Sequence, residues 1–290
     1  MIKQNTTNSG FFGKIEKLIR VIPHIYIIFR HLVRFTNYFE EDFFYLKKIF
    51  KNKKNVKIYF KKNEGYGSSI NYASKIIKTK YFLVVQPDVI GIKKTSLLSF
   101  YKYAKILKDK FAVIGPHFKN ASKRGHYQTS LKYKIKEIHN VHGSTMFFNK
   151  KIFDKNGGFD SNIFLYWEET DYTKRAIKKG LKTYQLNTIK VTHEKGKAVS
   201  TKSFNDKMKL ENLYTWHFIW SKYYYYNKHF GRVFSLIYFV PTIIRILFRI
   251  LINRKKEVNY KKYLCRLNGL QESMLLKKSY MRLEKISNLL

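Results

Sequence analysis

Three carboxylates crowd into four positions at Glu168, Glu169 and Asp171, in a chain of 290 residues with only 19 Asp and Glu against 58 Lys and Arg. Carboxylates this close repel one another unless a cation or a shifted protonation state relieves them. At a helix start, Glu168 and Asp171 share a face, and Asp171 meets Arg175 one turn on. Scarce acids gathered beside the aromatic run Phe164-Leu-Tyr-Trp167 suggest a site; the plainer alternative is a capped helix with an ion pair. Downstream, Thr192-His193 closes a strand-like stretch before Gly196. A lone histidine is more often structural, yet an imidazole just past a strand end suits a second metal ligand.

Two further clusters precede these. Gln86-Pro-Asp88 follows directly on the apolar run Tyr81–Val85. Ligands of open α/β sheets bind beyond the carboxyl ends of strands, and a carboxylate there can hold Mg2+ or Mn2+ against a diphosphate. An Asp that merely caps a turn is the bland reading. Asn63-Glu-Gly-Tyr-Gly67, leading to Asn71, sets two glycines on a strand-to-helix turn, where backbone amides can approach a phosphate. Such a turn also serves simply to connect elements.

The elements that must position these residues alternate. The pattern predicts a helix over Phe11–Arg20, a strand over His24–Phe29 and a helix around Glu40–Lys51. From Val56 to about Ser200 strands and helices take turns, which argues for a largely parallel sheet. Strands are expected at Val56–Phe60, Tyr81–Val85, Phe111–Ile114 (ended by Gly115-Pro116), His142–Asn149, Lys182–Leu186 and Ile189–Thr192; helices at Gly67–Lys78 and Thr170–Lys179, the latter stopped by Gly180. The last third is different. Tyr214–Phe230 is dense in aromatics, and Val233–Ile252 is apolar except for Ser235, Thr242, Arg245 and Arg249.

Composition bounds the partners. Hydrophobic residues make up 44% of the chain, enough for a folded core, and the net charge is +39. Such an imbalance repels itself unless it meets nucleic acid, anionic lipid or a phosphorylated substrate. No zinc-finger spacing, arginine-rich tail or RNP-like segment supports nucleic acid, which ranks last among the readings. The single Cys265 excludes an internal disulfide and fits a reducing compartment. Met1–Gly10 has no apolar core, so no secretory signal is expected there.

Taken in order, Asn63-x-Gly-x-Gly-x-x-x-Asn71, Gln-Pro-Asp88, Gly143-Ser-Thr-Met-Phe-Phe, Gly-Gly-Phe-Asp160, Phe-Leu-Tyr-Trp-Glu-Glu-x-Asp171 and His193 resemble the family 2 glycosyltransferases. The similarity is greatest to the rhamnosyltransferase-like branch that builds bacterial surface polysaccharides. It runs from about Val56 to Ser200 and more loosely to Leu270. The resemblance implies a GT-A fold, Rossmann-like, with a mostly parallel sheet flanked by helices over about residues 1–205 and a helical extension over 206–290. It implies metal-dependent, inverting hexosyl transfer from a nucleoside-diphosphate sugar to a glycan or polyprenyl-linked acceptor. Asp88, with Gln86 in place of the family's Asn, and His193 would hold Mg2+ or Mn2+. Glu169 matches the catalytic base, with Glu168 and Asp171 beside it. Asn63, Gly65, Gly67, Asn71 and Gln86 would line the donor side. The family's opening strand and its following strand with an acidic end find no match, and His24–Asn37 holds no Asp. That departure motivates the alternative of a catalytically inactive glycosyltransferase-like scaffold or binding subunit.

Val233–Ile252 is long enough to span a bilayer, but Pro241, Arg245 and Arg249 argue instead for a helix lying in the interface. Arg254, Lys255, Lys256, Lys261 and Lys262 follow it and would hold an anionic leaflet, placing the protein peripherally on the cytoplasmic face. The alternative is an amphipathic helix packed on the rest of the chain.

Overall fold

The chain is described here by a computed structural model, which covers residues 62–120, 132–194 and 203–286, the backbone of Ile25–Phe29, and positions 48, 51, 57 and 59. The helices expected at Phe11–Arg20 and around Glu40–Lys51, and the strand at Val56–Phe60, fall wholly or mostly outside these residues. By their contacts the described residues form two compact units. The first draws on Ser69–Phe159 and Tyr172–Ser200 together with the N-terminal strand; the second on Glu64–Ser68, Asp160–Asp171 and Thr201–Leu290.

The first unit is a mixed sheet with helices. Its strands are β1 (Ile25–Phe29), β2 (Tyr81–Val85), β3 (Val89–Ile90), β4 (Val113–Phe118), β5 (Ile135–Ile138), β6 (Thr145–Asn149) and β7 (Thr183–His193). They lie in the order β1-β2-β6-β4-β7-β3, with β5 also paired to β7. β1, β2, β4 and β7 run in one direction, and β6 is inserted against that direction between β2 and β4. β1, which matches the strand expected over His24–Phe29, is thus a parallel neighbour of β2. Its helices are α1 (Tyr66–Ile76), α2 (Lys94–Ile106), α3 (Lys150–Lys155) and α4 (Glu168–Lys178), of which α1 and α4 have their first residues in the second unit.

The sequence Tyr-Phe-Leu-Val-Val of β2 is buried at all five positions because both faces of the sheet are covered. Alternation sends its side chains two ways. Tyr81 and Leu83 join Phe100, Phe111, Ile114 and Phe147 on one face. Phe82 turns to the other, stacked on Phe148 with ring centroids 5.0 Å apart and edge-on to Phe153 at 5.1 Å. The unusual aromatic content is therefore core material here.

Three strand boundaries differ from expectation. β4 does not stop at Gly115-Pro116 but runs through to Phe118, with a register shift against β7 between Pro116 and His117. A proline, which cannot donate to the ladder, is tolerated at such an irregularity. The two segments expected at Lys182–Leu186 and Ile189–Thr192 are one strand of 11 residues, and the expected break coincides with that shift. β6 starts at Thr145 rather than His142, which lies in the turn before it.

The second unit holds α5 (Phe204–Phe230), α6 (Arg232–Ile252), α7 (Glu257–Met274) and the short α8 (Leu283–Ile286). Ser203 caps α5 by accepting from the Asp206 amide at 3.0 Å. Gly231, with φ +87°, ends α5 and lets the chain re-enter a helix at once. α5 and α7 are tied by Trp216 Nε1 donating to Asn268 Oδ1 at 2.8 Å and Ser273 Oγ donating to the Trp220 carbonyl at 2.9 Å. α6 meets them along a narrow stripe: Phe239 and Ile246 pack with Ile219, Tyr223 and Leu270.

Candidate active site

Within the first unit, one end of the sheet collects the residues with metal chemistry. Asp88 follows the carboxyl end of β2, Asn120 follows β4, His193 ends β7, and His142 precedes the antiparallel β6. Strand direction therefore brings all four to the same edge, the edge at which open α/β sheets bind ligands. Asp88 sits in a turn closed by the Val89 amide donating to the Gln86 carbonyl at 3.1 Å, and the Gln86 amide in turn donates to the Ser144 carbonyl at 2.8 Å. β3 pairs Val89 with His193, and the Glu194 amide donates to the Asp88 carbonyl at 2.8 Å. The Asn120 carboxamide grips His193 from the other side, accepting from its amide at 3.2 Å and donating to its carbonyl at 2.7 Å.

His193 Nε2 consequently lies 3.1 Å from Asp88 Oδ2, near enough for an ion pair but outside hydrogen-bond alignment. Among the described residues, Asp88 Oδ1 is buried with no hydrogen-bond partner. A carboxylate oxygen left this way is costly, on the order of 1–3 kcal/mol or more, unless a cation meets it. The pair fits a divalent ion: carboxylate oxygen and imidazole nitrogen both suit Mn2+, and Mg2+ commonly takes one or two carboxylates plus substrate phosphates. Among the described residues no group of three or more His, Cys, Asp and Glu is placed to hold a metal, so phosphate and water would complete the shell. His142 stands edge-on to His193 with ring centroids 5.0 Å apart, its Nδ1 accepting from the Ser144 amide at 3.2 Å. Sequence reading passed over His142 and Asn120; the only signal was their place at strand ends.

Asn71, expected on the donor side, brackets the main chain of Phe159, donating to its carbonyl at 2.8 Å and accepting from its amide at 2.9 Å. A Cβ on Gly158 would lie 2.6 Å from Asn71 Oδ1, so any side chain there would press on the amide that holds Phe159. Arg175 donates to the carbonyls of Asn156 and Gly158. The guanidinium thus serves the Gly-Gly turn, and Asp171 has further cations of its own.

Those cations come from α5 in the second unit. Asp171, fully buried, meets Lys228 Nζ at 2.7 Å and His229 Nε2 at 2.9 Å. Lys228 also reaches Asp160 Oδ2 at 2.7 Å, so one ammonium holds both ends of the segment from Asp160 to Asp171. Burial alone would raise the Asp160 carboxyl, but Lys228, the Asn162 amide and the Tyr224 hydroxyl outweigh it and hold the pKa below the usual carboxylate range. Phe164 is pinned as well. Its carbonyl accepts from the Tyr66 amide at 2.8 Å, and its ring lies under Arg282 at 3.8 Å and against His217 at 4.6 Å. A Cβ on Gly65, at φ +109°, would come within 2.5 Å of that carbonyl, which explains the first glycine of Gly65-Tyr-Gly67.

The acidic cluster opens α4, with Glu168 buried and Glu169 partly exposed. Immediately before it, Tyr166 and Trp167 both adopt left-handed backbone, φ 66° and 69°. Two consecutive bulky residues in that region cost about 1–3 kcal/mol each, and such strain gathers at functional sites. No sequence pattern announced it.

No model of a known protein family matches this sequence, and no curated protein is similar to it in sequence. Solved structures are similar in fold. One is GalNAc-T7 with UDP, GalNAc and Mn2+, at TM-score 0.50 and 14% identity, covering 75% of this chain and 47% of that one. The chain thus spans about half the length of GalNAc-T7. Another is S. aureus TarS 1-349 in complex with UDP-GlcNAc, at TM-score 0.50 and 14% identity, covering 97% of this chain and 83% of that one. The fold is therefore of the GT-A glycosyltransferase type, with a C-terminal helical extension.

Proposed function

We propose that this chain is an inverting glycosyltransferase, moving a sugar from a nucleoside-diphosphate donor to a hydroxyl of a glycan or polyprenyl-linked acceptor. The observation that carries the reading is the buried Asp88 Oδ1, without a hydrogen-bond partner among the described residues, beside His193 at the carboxyl edge of the sheet. The similarity in fold to two proteins crystallised with UDP or a UDP-sugar supports it and makes UDP-N-acetylhexosamines the first donors to try.

In this reading Asp88 and His193 hold Mg2+ or Mn2+, which when bound would neutralise charge on the departing diphosphate. Glu169 removes the proton from the acceptor hydroxyl as its oxygen attacks the anomeric carbon opposite the leaving group. Glu168, buried, precedes it at the start of α4. Asp171, tied to Lys228 and His229, acts at one remove by fixing the start of α4. Asn63, Gly65, Gly67, Asn71 and Gln86 shape the donor side, Gly65 and Asn71 through the main chain they hold in place. The narrower assignment, to the rhamnosyltransferase-like branch and surface-polysaccharide assembly, rests on motif order.

The second unit suits an anionic membrane surface on the cytoplasmic side. α6 is long and apolar enough to cross a membrane, and of its residues only Ser235, Phe239 and Ile246 are buried. Ile237, Ile244, Phe248 and Leu251 are all more than half exposed, with Arg245 and Arg249 among them. Arginines within the apolar stretch and a stripe committed to α5 and α7 favour a helix lying in the interface. Each flanking basic residue would contribute about 1 kcal/mol near anionic lipid.

The test is hydrolysis or transfer of UDP-GlcNAc and UDP-GalNAc, with Mn2+ and with EDTA. Metal-dependent release of UDP supports the enzyme; its absence with every donor tried returns the scaffold reading.

A further inference from the structure

We propose that Tyr166, Trp167, Tyr214 and Phe218 form an aromatic ledge on which a pyranose ring of the acceptor stacks, an inference that rests on the glycosyltransferase reading. The first observation is conformational. The backbone at Tyr166 and Trp167 is left-handed at two successive non-glycine positions, and the surrounding bonds hold it there. Ser221 Oγ donates to the Leu165 carbonyl at 2.8 Å, the Asp171 amide donates to the Trp167 carbonyl at 2.9 Å, and Lys228 closes the segment at Asp160 and Asp171.

The second observation is what that backbone does to the rings. Tyr166 comes to 5.6 Å from Phe218 and 6.2 Å from Tyr214, centroid to centroid, and Trp167 to 6.2 Å from Phe218. Tyr214 and Phe218 sit one turn apart on α5 and so present one face. Trp167 is backed by Tyr225 at 5.1 Å, which is buried. The result is an array with Phe218 41% exposed and the other three partly exposed. Grouped apolar exposure of this kind marks a binding surface more often than chance.

Chemistry selects the occupant. The face of an aromatic ring is electron-rich and attracts the weakly positive C–H groups on the apolar face of a pyranose, while tyrosine and tryptophan edges can hydrogen-bond its hydroxyls. Glu168 and Glu169 follow Trp167 directly in the chain, so hydroxyl acceptors lie at one end of the ledge. Carboxylates and electron-rich rings repel a diphosphate, so the ledge suits a neutral sugar and not the donor's anionic end.

The experiment is saturation-transfer NMR on the full chain with the methyl glycosides of rhamnose, glucose, galactose, N-acetylglucosamine and N-acetylgalactosamine. UDP-sugar hydrolysis by the wild type is read in the same preparation. At least one glycoside should receive saturation, strongest on the C–H protons of one ring face. Phe218→Ala should weaken its Kd about five- to tenfold, and Phe218→Tyr should restore it to within about twofold. Phe218 is exposed, so the variants should fold, and circular dichroism verifies this. No glycoside bound by the wild type, or Phe218→Ala binding as well as the wild type, overturns the ledge. Anionic-vesicle binding lost in Phe218→Ala with glycoside binding unchanged also overturns it and makes the array a lipid contact. Glycoside binding that depends on Phe218, in a protein that hydrolyses no nucleotide sugar, upholds the ledge and overturns the enzyme reading instead.

Discussion

His193 Nε2 stands 3.1 Å from Asp88 Oδ2 because β3 pairs Val89 with His193 itself, and the Asn120 carboxamide fixes the same residue from the opposite side. The side-chain pair is thus a product of sheet pairing, with the His193 main chain held on both sides. Support at this distance from a ligand atom governs affinity. Asn120→Ala should weaken Mn2+ binding in the presence of UDP by about tenfold, measured by electron paramagnetic resonance titration. An unchanged affinity would mean that His193 does not ligate.

The glycines differ in what opposes a side chain. At Gly65 the obstacle is the Phe164 main chain, 2.5 Å from a Cβ; at Gly158 it is the Asn71 side chain, which can turn aside at the expense of its bonds to Phe159. Both positions have positive φ. Gly65→Ala should cost well over 1 kcal/mol and Gly158→Ala less, about 1 kcal/mol, in urea unfolding. The reverse order would contradict the packing described here.

His217 predicts an acid-sensitive fold. Its Nδ1 meets Ser279 Oγ and its Nε2 the Met281 carbonyl, each at 3.0 Å. Burial, with a smaller push from the Arg282 charge, lowers its pKa from 6.5 to about 3, against the pull of the Met281 carbonyl. The unfolded chain therefore takes up a proton below pH 6.5 that the folded chain refuses. The contribution to stability is complete above that pH and falls by about 1.4 kcal/mol per pH unit down to the folded value. His217→Gln should flatten the pH dependence of the urea midpoint between about pH 6.5 and about pH 4.5. Asp160, whose pKa lies below 3.8, contributes a loss only at lower pH, whereas His117, its pKa lowered by burial and by the Lys190 charge, shares the window, so the slope should shrink but not vanish. A slope identical to the wild type would contradict the buried placement.

Interfacial docking of α6 has its own signature. Wild-type protein should co-sediment with anionic vesicles and much less with neutral ones, with binding weakened by salt. Replacing both Ile244 and Leu247, which are exposed, by Glu should reduce it at least about tenfold. Equal binding to neutral vesicles would favour a different role for the exposed face.

The sequence made the strands and helices around the chemistry legible because apolar runs ending in Gly, Pro or Asp carry local signals. Tyr81–Val85 and the turn at Asp88 are such a case, as is the Gly180 stop after α4. What it could not supply was long-range. Local spacing offers Arg175 as a partner for Asp171, and only the fold shows that Lys228 and His229, far along the chain, also reach Asp171 and that Arg175 holds two carbonyls. Asn120 and His142 carry no motif, since their importance comes from strand direction. The left-handed turn at Tyr166 and Trp167 is invisible for the same reason: tertiary bonds impose a conformation that local preference opposes.

The most direct test of the account is UDP release from UDP-GlcNAc and UDP-GalNAc by wild type, Asp88→Ala and Glu169→Gln under matched Mn2+. The wild type should be active and silenced by EDTA. Asp88→Ala should lose Mn2+-dependent activity by at least about 100-fold, and Glu169→Gln should lower kcat by about 100- to 10,000-fold with little change in UDP binding. Activity that persists in both variants, or that ignores EDTA, would contradict the assignment of metal and base.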